Sequence, residues 1–184
     1  MPLSKPAPRQ HLHTREIVCR GYKRDDGLWD IEALLTDTKT YAFDNIDRGV
    51  INAGEPLHGM AIRLTVDETL TVREIEAASD FTPFSVCPAI TGAYASLKGI
   101  RMGRGWREAV RERVGRVKGC THLTDLLIGP LLTAAIHTVQ AAREKLSDAG
   151  ADGQARPPLL ETCHAFAPTS PVVKRRWPAF YTGR

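Results

Sequence analysis

"REIVCRGYKRDDGLWDIEALLT", residues Arg15 to Thr36, decides the fold class of this chain. Two alternating apolar runs flank Asp25-Asp26-Gly27, and an Asp-Gly pair between such runs signals a β-hairpin. A three-residue loop Asp25–Gly27, with Gly27 in the left-handed conformation, sorts the side chains onto two faces. Ile17, Cys19, Trp29, Ile31, Ala33 and Leu35 fall on the core face. Arg20, Tyr22, Asp30, Glu32 and Thr36 fall on the other, with Arg20 opposite Glu32.

The pattern repeats downstream. "HGMAIRLTV" and "TLTVREIEA" join through Asp67 and Glu68, with Met60, Ile62, Leu64 and Val66 alternating and Leu70 and Val72 facing them. The segment between the hairpins, "TYAFDNIDRGVINAGEP", reads as a loop with a short extended piece. The first half is thus expected to be an antiparallel meander of two hairpins.

The apolar period then changes. Pro88 suits the first residue of a helix running to about Lys98. "GRGWREAVRERVGRV" carries a stripe of Trp106, Ala109, Val110, Arg113 and Val114. "THLTDLLIGPLLTAAIHTVQAAREKL" predicts a long apolar helix with Thr121 as cap, kinked or broken at Gly129-Pro130. The expected class is α+β, with a helical half packed on one face of the sheet. Within one domain, 1–184, the expected parts are an extended arm (1–13), the sheet (14–80), the helical part (86–147), a linker (148–158) and a tail (159–184) packing back on the domain.

With 184 residues, 42% hydrophobic and 25% charged, the chain has the composition of a folded globular protein. No apolar run is long enough to span a membrane, and the proline-rich start "MPLSKPAPRQ" lacks a secretory h-region, so a cytoplasmic protein is expected. Four cysteines do not make a disulfide framework at this length. A net charge of +4 suits an anionic ligand but argues weakly for nucleic acid. The arginines of the second half are interleaved with Glu108 and Glu112, which argues further against it. Glycine-rich phosphate loops, dinucleotide fingerprints and serine elbows are all absent from the sequence, which points to cofactor-free acid–base chemistry or a single metal ion.

Two constellations carry chemistry. At the start of the long helix, "GCTHLTDLL" places Cys120 two residues before His122, where unpaired backbone N–H groups favour a thiolate. Local packing, an active-site pair and a metal pair all remain open for it, although Cys-x-His is a poor zinc spacing. Cys163-His164 in the tail adds soft ligands, and His11-x-His13 reads as solvated. His58 and His137 read as packing or surface residues. The second constellation is the hairpin's polar face, where Asp30 and Glu32 share a strand side with Arg20 and Tyr22 across from them. Such a set can supply a general base and hold an anion.

"HTREIVCRGYKRDDGLWDIEALLTDTKTY", "GEPLHGMAIRLTV", "GCTHLTDLLIGP" and the tail motifs "CHA" and "PVVKRRWP" together resemble the bacterial family known as domain of unknown function 2889. The resemblance covers nearly the whole chain and picks out Thr14, Arg15, Trp29, Asp30, Glu32, Asp37, Thr38, Tyr41, Cys120, Thr121, His122, Cys163 and His164. Members are similar to conserved proteobacterial proteins, some from genomes rich in aromatic catabolism, and that company implies a small-molecule enzyme.

The expected function is therefore an acid–base lyase or isomerase on a hydroxylated, phenolic small molecule. One form is retro-aldol release of formaldehyde from a hydroxymethyl-bearing substrate. Asp30, Glu32 or His122 would take the proton, and Arg20 or Tyr22 would hold the developing anion. Trp29, Tyr41, Cys120, Thr121 and His164 would complete the substrate site, with no cofactor. The alternative is a Cys/His accessory or sensor protein holding one zinc or iron ion through Cys120, His122 and Cys163. The basic tail "KRRWPAFY" leaves RNA or protein binding as a third reading. A sheet face of mixed polarity points to a homo-oligomer.

Overall fold

A computed structural model describes residues 3–139 and 155–183. Residues 140–146 of the expected long helix, and most of the expected linker, lie outside the described residues. The chain divides into two compact units, Met1–Thr138 and Val139–Arg184.

The first unit is built on a four-stranded antiparallel sheet in the order β1-β2-β5-β6. Strands β1 (His13–Lys23) and β2 (Trp29–Lys39) form the first hairpin, with Arg20 paired to Glu32 as the alternation predicts. Arg24 N–H donates to Leu28 O at 2.8 Å, which leaves the three-residue loop Asp25–Gly27. Gly27 has φ +84°, a conformation that an L side chain resists. Between the hairpins, where a loop with a short extended piece was expected, β3 (Phe43–Asn45) and β4 (Gly49–Ile51) make a small separate ribbon. Strands β5 (Pro56–Val66) and β6 (Val72–Phe81) complete the meander.

One sheet face is the core. Ile31, Ala33, Leu35, Met60, Ile62, Leu64, Val66 and Val72 are all at most 3% exposed. Burying each such large side chain is worth about 1.5–3 kcal/mol, which is what holds the period-two pattern in register. Leu70 is buried but lies in the β5–β6 turn at φ +64°, not on a strand.

Helical segments in this unit supply the other half of the core. The helix expected from Pro88 to about Lys98 forms over Cys87–Leu97, as a 3-10 helix. Ile90, Thr91 and Gly92 are poor α-formers, and a three-residue turn stacks buried Tyr94 directly above buried Leu97. Helix α1 (Trp106–Val114) buries Trp106, Val110 and Val114, and the Trp106 indole N–H donates to Leu127 O at 2.8 Å. Helices α2 (Thr121–Ile128) and α3 (Pro130–Thr138) are separated at Gly129, as the Gly-Pro pair predicts.

The second unit has its own cluster of Leu160, Val173 and Trp177, packed by Leu159, Phe166, Phe180 and Tyr181. Its helix α4 (Pro171–Arg176) is capped by Ser170, whose hydroxyl accepts from Val173 N–H. Among the described residues, no helix is long and apolar enough to cross a membrane.

Candidate functional site

Asp37 carries the strand parity of Ile31, Ala33 and Leu35, so it points to the core face, where it is 1% exposed. A carboxylate there must be compensated, because an unpaired buried charge costs several kcal/mol. The hairpin register supplies one partner. Arg15 lies opposite Asp37 on β1 and binds it bidentately, Nε to Oδ1 at 2.8 Å and Nη2 to Oδ2 at 2.7 Å. The second partner comes from β5, where His58 is opposite Asp37 and its Nδ1 lies 2.9 Å from Oδ2. Arg15, Asp37 and His58 thus form one rung across three adjacent strands. His13 Nε2 adds a further contact to Oδ1 at 3.1 Å.

Helix α2 brings His122 onto this rung. Its ring centroid lies 4.0 Å from that of His58, and its Nε2 lies 3.8 Å from Asp37 Oδ2. On its other side, His122 Nδ1 is 3.9 Å from Cys120 Sγ, which also lies 3.8 Å from Met60 Sδ. The start of α2 is held by Tyr94, whose hydroxyl accepts from Cys120 N–H at 2.9 Å and lies 3.0 Å from Cys120 O. Cys120 occupies the cap position with extended backbone, and Thr121 is the first helical residue. This corrects the expected cap. With the tyrosine clamp on the Cys120 backbone, no side chain caps the helix.

The charges follow from this geometry. Burial pushes the Asp37 carboxyl up, but the hydrogen bonds and charge of Arg15, with the hydrogen bond from His58, outweigh it and hold it at about 2. Asp37 is ionised and can only accept, so His58 carries its proton on Nδ1 and leaves Nε2 as a free base. The His58 pKa is driven down chiefly by burial, against the opposing pull of Asp37. That of His122 is driven down chiefly by burial, by the repulsion it would meet from a protonated His58, and by the Arg15 charge. Both imidazoles are therefore neutral at neutral pH.

Asp37, His58 and His122 each offer a ligand atom within 4.8 Å of the others, two imidazoles and a carboxylate. That donor set suits zinc or iron. Against it, both Asp37 oxygens are engaged by the fixed charge of Arg15, which a bound cation would have to displace.

The residues expected from sequence divide sharply by location. His122 and Cys120 are in the cluster. Asp30 and Glu32 are not, because their parity puts them on the opposite sheet face. There Asp30 accepts from Thr65 Oγ1 at 2.7 Å and Glu32 from Arg63 Nε at 2.8 Å. Arg20 and Tyr22 are exposed on that same outer face. A cleft of about 460 Å³ opens there, lined by Asp30, Arg63, Thr65 and Lys98 among others. Of its charges, Asp30 pairs with Arg24 and Glu76 with Arg63, whereas the carboxylate–histidine cluster centres on a buried and perturbed Asp37, and we take the cluster as the reactive place. Trp29 is half-buried on β2, and Tyr41 is 44% exposed beside Phe43. Thr121 is exposed. Cys163 and His164 are exposed in the second unit.

The resemblance picks out Arg15 and Asp37 without giving them a role, and His58 reads in the sequence as a packing or surface residue. His13, read as solvated, is half exposed yet touches Asp37. The available signal was parity, since Asp37 and His58 each continue a run of core-facing positions.

This unit is thus an α+β protein whose helix-covered sheet face carries a buried carboxylate flanked by neutral histidines. The chain belongs to the family described as Protein of unknown function (DUF2889), whose model matches residues 13–137. The matched span contains every residue of the cluster. No curated protein and no solved structure matches the chain.

Proposed function

We propose that the protein is a cytoplasmic acid–base enzyme, a lyase or isomerase of aromatic-compound catabolism, with the Asp37–His58–His122 cluster as its working centre. The observation that carries this reading is the 2.9 Å bond from His58 to ionised Asp37 beside a second neutral imidazole. Asp37 fixes the tautomer of His58 and stabilises its charged form once it takes a proton. Arg15, 39% exposed at its side chain, sets a positive charge at the edge of the cluster. In the form favoured here, an imidazole removes the proton of a hydroxymethyl group on a phenolic substrate. With the ring carbon that bears this group already protonated, in the dienone tautomer of the phenol, the carbon–carbon bond breaks, formaldehyde leaves, and the electron pair restores the aromatic phenolate, which takes up the proton. Atoms balance without an oxidant or reductant. A homo-oligomer is proposed alongside it, and the acid–base chemistry does not depend on it.

The test is formaldehyde release from hydroxymethyl phenolic compounds by purified protein without added cofactor. General acid–base groups are worth about 10²–10⁴ in rate. Loss of that order is expected for His58→Gln and His122→Ala, with Asp30→Asn near wild type. Full turnover in both histidine variants refutes the assignment.

The three-donor cluster itself supports a second reading, a metal-binding accessory or sensor protein with zinc or iron held by Asp37, His58 and His122. It expects stoichiometric metal after purification, lost in His122→Ala. Metal-free protein by elemental analysis refutes it.

A further inference from the structure

Strand β1 is the edge of the main sheet, eleven residues long, and among the described residues no strand pairs with its outer side. A long flat edge of this kind is ordinarily blunted by proline, a bulge or a covering segment. β1 contains no proline, and its register with β2 is unbroken. Ile17 and Val18, at its middle, are each 42% exposed.

The outer face of the sheet is patterned in rungs that run out to this edge. One rung reads Arg20, Glu32, Arg63, Glu76 in cross-strand register, alternating in sign. Arg63 binds both its neighbours, at 2.8 Å to Glu32 and 3.0 Å to Glu76. The next reads Val18, Leu34, Ala61, Ala78, and is apolar throughout, with Leu34 43% exposed. Glu16 and Arg20 flank Val18 symmetrically, both exposed, and neither side chain has a hydrogen-bond or ion-pair partner among the described residues.

We infer that β1 pairs with β1 of a second copy of this chain, antiparallel about a two-fold axis at Val18. In that register Glu16 lies opposite the second copy's Arg20, and Arg20 opposite its Glu16. The alternating rung gains a fifth member of the right sign, and the apolar rung becomes a stripe running through both sheets. Parallel pairing would set Glu16 against Glu16, which is unfavourable at cross-strand distance. The symmetric placement of opposite charges about one exposed valine is what commits the edge to a second copy. This inference is independent of the acid–base reading, because neither Glu16 nor Arg20 belongs to the cluster.

The test is sedimentation equilibrium on the full chain, with three charge variants at exposed positions that leave the core intact. Wild type is expected to sediment as a dimer. Glu16→Arg alone, or Arg20→Glu alone, places like charges opposite at two symmetric rungs and should raise the dissociation constant by about tenfold or more. The double variant Glu16→Arg/Arg20→Glu restores both pairs and should return the constant to near the wild-type value. A monomeric wild type overturns the proposal. So does a dimer whose affinity the single variants leave unchanged, since such a dimer forms elsewhere. Formaldehyde release is measured on Glu16→Arg, at a residue outside every candidate site, so that failure of the dimer and failure of the enzymatic reading are distinguishable.

Discussion

Asp37→Asn is the most informative substitution, because it removes one charge from a buried network while keeping side-chain shape. The carboxyl moves from its ordinary value of 3.8 to about 2 on folding. At about 1.36 kcal/mol per pH unit that corresponds to about 2.5 kcal/mol of stability at neutral pH. The sign follows from the direction: a depressed carboxylate contributes fully above pH 3.8 and loses its contribution as the pH falls through about 2. At pH 3 the same two values leave about 1.3 kcal/mol. The amide that Asp37→Asn introduces would still accept one hydrogen bond, but Arg15 and His58 would lose the charge that both of them meet.

Urea unfolding followed by tryptophan fluorescence, at pH 7 and pH 3, measures both numbers for the variant against wild type. Asp30→Asn is the internal control. Asp30 also meets an arginine, at 3.4 Å, yet its side chain is 21% exposed on the outer face. A surface pair of that kind is worth about 0–1 kcal/mol. The reasoning is refuted if Asp37→Asn costs no more than Asp30→Asn at pH 7. It is equally refuted if the Asp37→Asn deficit fails to shrink by roughly half at pH 3, the fraction that the linkage relation demands.

The two remaining predictions concern the histidines and the sheet–helix contact. The imidazole resonances of His58 and His122 should titrate below the ordinary 6.5, and Asp37→Asn should lower His58 further, since the carboxylate is what opposes burial there. Because both folded values are depressed, their contribution to stability is present above pH 6.5 and declines as the pH falls below it; a flat unfolding midpoint from pH 7 to pH 5 would contradict this. Gly21 lies under α3 with room for no side chain, a Cβ there falling 1.8 Å from Thr138 Oγ1. Gly21→Ala should therefore cost about 1–3 kcal/mol in urea unfolding, with part recovered in Gly21→Ala/Thr138→Gly, and an unchanged midpoint in the single variant would show that the contact is slack.

How much of the fold and site is legible in the sequence depends on the range of each interaction. The two hairpins are local objects. A three-residue loop at Asp25–Gly27 fixes every rung of the first one, so the Arg20–Glu32 pair can be read directly. So can Arg15 opposite Asp37, by the same count, and the parity of Asp37 with Ile31, Ala33 and Leu35 marks it as a charge on an apolar face. Composition points instead to Asp30 and Glu32, two acids on one strand side, whose parity places them among solvated partners. Burial is what makes a carboxylate costly and hence worth organising. His58 is hidden by distance. Its place opposite Asp37 depends on how the inserted ribbon of β3 and β4 returns the chain to β5, and on the register shift just past Asp37. No residue near His58 encodes either. His122 is expected from its helix start to face a pocket, and it does meet a carboxylate of the hairpin. That carboxylate is Asp37, because α2 packs on the core face, and the alternation of a strand gives opposite neighbours of a helix-covered residue to the solvent.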